Sequence, residues 1–156
     1  MVSLMEYLYM LAVAILVGKV VLLSFVVAPI LAKNLERESF GKVVRELFPA
    51  YYMLGVGAAI TGSISVAWLG LMLGMSPILV TAGGTWLIIF AAEAYCRSPL
   101  TPQSNAMRDR LKEQESRGAV DPALQTAWHR LHQRSVYLNS LVLLAGLSLL
   151  GLAGRW

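Results

Sequence analysis

Four long apolar stretches dominate the chain, at residues 4–31, 51–75, 77–96 and 136–153. Each reaches or approaches the roughly 20 residues a helix needs to cross the hydrocarbon core of a bilayer. Segments this long and uninterrupted read as helices that turn apolar side chains outward all round, not as half-buried strands. The pattern predicts an all-α, four-helix transmembrane bundle forming a single domain over residues 1–156.

The two polar stretches between them, residues 32–50 and 97–135, have a period of their own. Phe40, Val43, Val44, Leu47 and Phe48 recur at i, i+3, i+4, i+7 and i+8, with Lys42, Arg45 and Glu46 on the other side. That is an amphipathic helix lying at the membrane interface. Asn34 is expected to cap it and Pro49 to end it. In the second stretch, Thr101-Pro102 reads as a cap with a first-turn proline, opening a mostly solvated helix to about Arg117. Glu113 and Arg117 form an i, i+4 pair there, and Gly118 is the stop. Asp121-Pro122 then opens one long helix to about Ala153, roughly 45–50 Å long, whose first turns project out of the membrane.

Composition supports this picture, since 57% of residues are hydrophobic and 14% charged. Of the 13 Lys and Arg residues, all but Lys19 and Arg155 lie in the two polar stretches. Under the positive-inside rule both stretches are expected in the cytoplasm and both termini outside, in a bacterial or archaeal plasma membrane. The formal net charge of +4 then reflects topology and anionic lipid headgroups rather than nucleic acid. The expected partners are membrane lipids and a second copy or another membrane subunit. The first segment lacks the basic leader and cleavage pattern of a signal peptide. In the second span, Gly70-Leu-Met-Leu-Gly74 and the Ala58/Gly62 spacing favour close helix packing.

Ionisable groups inside spans draw attention because burying them in lipid is expensive. Lys19 lies near the middle of the first span, and Glu93 lies about one turn from the end of the third. They admit three readings: a structural ion pair, a proton or cation relay, and a cation that snorkels to the interface. His129 and His132 share one helix face, as do Glu93 and Cys96, so that Glu93, Cys96, His129 and His132 form a candidate transition-metal site. Haem is disfavoured, because two His on one turn cannot ligate opposite faces of an iron. Met1, Met5, Met10, Met72 and Met75 would gather at the external face, where thioethers suit Cu(I) or simply fill space. No P-loop, dinucleotide turn, zinc-protease or nucleophile-elbow motif occurs.

Ser24-Phe-Val-Val-Ala-Pro29, Phe40-Gly41, Leu47-Phe-Pro-Ala-Tyr-Tyr52, Pro99-Leu-Thr-Pro102 with Asn105 and Met107, and His129-Arg-Leu-His-Gln-Arg-Ser135 with Asn139 follow one another along the chain. In this order they resemble the transmembrane protein 205-like family of four-span proteins without an assigned reaction. The resemblance implies a four-helix bundle and places weight on Phe48, Pro49, Tyr52, Pro102, His132, Ser135 and Asn139. It also implies that Lys19 stands where relatives usually carry an uncharged residue. A looser resemblance to copper-resistance D-type membrane proteins keeps metal handling in view. A second candidate cluster is therefore polar: Lys19, Ser24, Tyr52, Ser135 and Asn139. The expected function is support of transport or tolerance of a small solute or metal. The alternatives are a metal- or haem-binding redox protein and a structural subunit of a larger membrane complex.

Overall fold

The computed structural model describes residues 2–156 and consists of four long helical rods. Helix α1 is Val2–Asn34, α2 is Arg37–Leu73, α3 is Pro77–Ser116 and α4 is Pro122–Leu152. Helix α2 packs against α1 on one side and α3 on the other, and α4 closes the ring between α1 and α3. The outer surface is covered with large exposed apolar side chains, among them Tyr7, Leu22, Leu71, Leu87, Ile88, Tyr137 and Leu144. On a soluble protein such a surface would aggregate; here it is the lipid-facing wall.

The rods are longer than the breaker residues suggest. Pro49 does not end a helix: α2 runs through it for 37 residues. Prolines are tolerated in membrane bundles, where neighbouring groups re-satisfy the freed carbonyl. Thr101 does not cap a new helix either. Its hydroxyl donates back to the Cys96 carbonyl at 2.7 Å, and its backbone N–H goes to the same oxygen. The chain from Pro77 to Ser116 is thus one rod, with a π-helical turn at Cys96–Leu100. A matching π turn at Leu23–Val27 lies just before Pro29 in α1. Each widened turn accommodates a proline ring without breaking the rod, and such turns concentrate at functional sites. Asn34 also does not cap α2; its side-chain amide donates to the Ile30 carbonyl at 2.8 Å, within the last turn of α1. The expected boundary at Asp121 is present, with its carboxylate accepting from the Ala123 N–H at 2.8 Å. Gly118, at φ +80°, makes the preceding turn, and Arg117 pairs with Glu113 at 2.6 Å.

Small residues on α2 set the tight side of the bundle. A Cβ on Gly62 would lie 2.2 Å from the buried Trp86 ring of α3. The Trp86 edge in turn meets Tyr9 of α1, with ring centroids 6.0 Å apart. Gly70 and Gly74 do not form a helix-packing motif, because Gly74 sits beyond the end of α2 at φ +87°. Helix α4 is held more loosely. It contributes only Leu131, Val142, Gly146 and Leu149 to the buried set, against ten residues from α2. It comes close to α1 at Gly146, where a Cβ would lie 2.8 Å from Val17. Tyr9 also ties the two helices, donating to the Leu149 carbonyl at 2.9 Å, and Trp156 donates to Glu6 at 3.3 Å. The chain ends are therefore gathered at one end of the bundle, and the charged connections at the other.

Candidate functional site

Lys19 and Glu93 meet across the bundle as a buried ion pair, with Nζ 2.6 Å from Oε1. The ammonium also stands over the Tyr51 ring, 3.9 Å from its centroid. Gly55 of α2 makes the pair possible: a Cβ there would come within 2.3 Å of the Glu93 carboxylate and 2.6 Å of Lys19 Nζ. The second carboxylate oxygen, Oε2, is buried without a hydrogen-bond partner.

One turn nearer the charged end lies a connected polar network. The Tyr51 hydroxyl donates to Asn139 Oδ1 at 2.9 Å. The Asn139 amide nitrogen donates to the Tyr52 hydroxyl at 3.2 Å and to the Ser135 carbonyl at 2.9 Å. Tyr52 and Ser135 share a further hydrogen bond at 3.0 Å. Phe48 stacks on Tyr52 with ring centroids 5.6 Å apart, fixing that ring one turn along α2. Tyr52, Ser135 and Asn139 of the expected polar cluster are thus directly linked. Lys19 reaches them through the Tyr51 ring and, at 5.7 Å from its centroid, the Tyr52 ring, and Ser24 of α1 lines the same cavity without a hydrogen bond to them.

The network forms one wall of a cavity of about 450 Å³. The cavity is lined by α1 and α4 on the charged side of their contact at Gly146, with α2 and α3 behind them. Both π turns flank it: Leu23, Ser24 and Phe25 come from the first, Leu100 from the second. Its apolar end is closed by Val20 and Leu143. Its polar end is built by Ser104, Asn105 and Arg108 of α3, facing Trp128 and His132 of α4. The His132 imidazole stacks on Trp128, with centroids 5.7 Å apart and planes 11° apart. Phe25 of α1, 69% exposed, and Val136 of α4, 48% exposed, line the cavity and reach the surface of the bundle. Burial first, then the like charge of Arg45, lowers the pKa of Arg108, against the pull of Asp109.

The four residues of the expected metal site do not come together. Glu93 and Cys96 are buried, whereas His129 and His132 are exposed on the outlying part of α4. Among the described residues no group of three or more His, Cys, Asp or Glu side chains is placed to hold a metal ion. Helical spacing aligned each pair on its own helix, but the bundle buries Glu93 and Cys96 among the rods and leaves His129 and His132 exposed, His132 at the cavity wall. Of the methionines, Met10, Met72 and Met75 are exposed, Met5 packs against the core, and Met1 lies outside the described residues.

The sequence reading missed Tyr51, Trp128 and Arg108. A signal for two of them was present. Thr101, Ser104, Asn105 and Arg108 repeat at i, i+3, i+4 and i+7, and Trp128, His132, Ser135 and Asn139 at i, i+4, i+7 and i+11. These are polar stripes with helical period, the inverse of the apolar stripe that marks a core face.

Four long apolar rods around a partly polar interior define a helical-bundle integral membrane protein. Residues 11–112 match the family described as a domain of unknown function, DUF4149, and the chain belongs to that family. The match takes in α2 whole and most of α1 and α3, but not α4. No curated protein and no solved structure matches the chain.

Proposed function

We propose that this protein binds a small amphiphilic solute from within the bilayer, as a step in its transport or in tolerance to it. The observation that carries the reading is the cavity of about 450 Å³ between α1 and α4, polar at one end and apolar at the other. Pockets of this size, largely apolar with a few convergent polar groups, suit small molecules. The opening between Phe25 and Val136 faces the lipid side, so a solute would enter sideways from the membrane. The family match agrees with a membrane protein of this kind and assigns it no solute. We further propose that the cavity lies in the cytoplasmic leaflet and that both termini are external, on the strength of the Lys and Arg distribution.

The test uses the full chain in neutral-detergent micelles, with the fluorescence of Trp128 as the reporter and Trp128→Phe as the signal control. Titration with dioctanoylglycerol, an uncharged amphiphile, should give a saturable change. Ser24→Phe and Ser140→Phe, which place rings in the cavity from α1 and α4, should abolish it. A response that never saturates, or that is the same in wild type and both filled variants, would reject the proposal.

A further inference from the structure

The geometry points to an anionic headgroup as the polar part of the solute, seated at Arg108. This inference rests on the cavity reading above and adds the charge of the ligand. Among the described residues the Arg108 guanidinium makes one hydrogen bond, from Nη1 to the Gly41 carbonyl at 3.2 Å, and joins no ion pair. Most of its N–H donors are therefore without a protein partner. The neighbouring carboxylate, Asp109, is engaged by Arg45. Arg37 and Lys112 are likewise matched, to Glu115 at 3.1 Å and Glu38 at 2.9 Å. Arg108 differs from these in being half-buried at the cavity wall and in no ion pair among the described residues. A planar fork of this kind recognises phosphate or carboxylate by paired, charge-assisted hydrogen bonds. Ser104 and Asn105, one turn back on the same face, add neutral donors.

The shape of the cavity favours an amphiphile over a free anion. From Trp128 to Leu143 the lining of α4 extends about 22 Å along the helix axis, at about 1.5 Å per residue. That distance carries a ligand from the charged end of the bundle into the apolar span. The walls change with it, from Arg108 and His132 to Val20, Leu23 and Leu143. A free anion would occupy only the first part.

The test titrates the full chain in neutral-detergent micelles with dioctanoyl phosphatidylglycerol, dioctanoyl phosphatidylcholine or inorganic phosphate, read by Trp128 fluorescence. Both phospholipids carry a phosphate, but the choline ammonium cancels its charge and competes with Arg108 for it, so phosphatidylglycerol should bind about tenfold more tightly than phosphatidylcholine. Arg108→Gln should remove that preference. Asn105→Asp, which puts a negative charge on the same wall and keeps Arg108, should do the same and carries the test if Arg108→Gln fails to fold. Equal affinity for the two phospholipids in wild type, still sensitive to Ser140→Phe, would overturn the anionic headgroup while leaving the cavity reading in place. Inorganic phosphate binding as tightly as phosphatidylglycerol would assign Arg108 to a free anion and overturn it too. Loss of all saturable binding, dioctanoylglycerol included, would remove both.

Discussion

Replacing Lys19 by Met should be among the most damaging single changes in the protein, and replacing its partner as well should undo most of the damage. Lys19 and Glu93 are 2.6 Å apart, with side-chain exposures of 4% and 1%. At that separation and an effective dielectric of about 20, their attraction is about 6 kcal/mol. Desolvation of each ion costs several kcal/mol, so the pair as a whole lies near balance. Removing only Lys19 leaves the Glu93 carboxylate buried, with Oε2 already unpartnered, and should cost about 3–5 kcal/mol. Lys19→Met combined with Glu93→Leu removes both charges and fills the same space with apolar atoms. It should return stability to within about 1–2 kcal/mol of wild type, or above it. Unfolding in mixed micelles with increasing denaturing detergent, for wild type, both single variants and the double variant, gives the coupling energy directly. A Lys19→Met cost below about 1 kcal/mol, or a double variant no better than the worse single one, would refute the account of a balanced buried pair.

Other outcomes follow from the same structure. Gly62→Val should lower the thermal unfolding temperature sharply, because its side chain would enter the Trp86 ring; an unchanged temperature would show that α2 and α3 are not packed as described. Asn139→Ala removes bonds to Tyr51, Tyr52 and Ser135 and should cost about 0.6–2 kcal/mol in the same unfolding assay, while Ser148→Ala, which breaks only a local bond on α4, should cost less. Acid should loosen the charged end: Lys112 first, then Lys42, holds the Glu38 carboxyl below its ordinary pKa. This small stabilisation is present above the unfolded carboxyl's pKa and disappears as pH falls through the folded one, so the protection of amides near Glu38, taken relative to the intrinsic exchange rate at each pH, should fall on acidification in wild type and not in Glu38→Gln. Reporter fusions after Met75 and Trp156 should read external and one after Arg117 cytoplasmic; a cytoplasmic signal from the C-terminal fusion would reverse the proposed orientation.

The sequence by itself determined the class of protein. Apolar segments of membrane length need no tertiary information to be read, because the bilayer demands them whatever the helices pack against. Capping at Asp121 and the stop at Gly118 were legible for the same reason: each depends on a few neighbouring residues. Pro49 and Thr101-Pro102 were not, because a proline's effect depends on what satisfies the freed carbonyl, and in this bundle the rods continue through both. The polar candidates divide along the same line. Helical spacing put Ser135 and Asn139 on a face with His132, and it put Glu93 and Cys96 together. Only the crossing of the rods decided that Asn139 meets Tyr51 and Tyr52, that Lys19 reaches Glu93 through the gap left by Gly55, and that His132 lines the cavity wall instead of joining Glu93 and Cys96. The cavity belongs wholly to the tertiary level. Residues from all four rods line it, beside the close contact of α4 with α1 at Gly146, and no one-dimensional pattern records a distance between two helices.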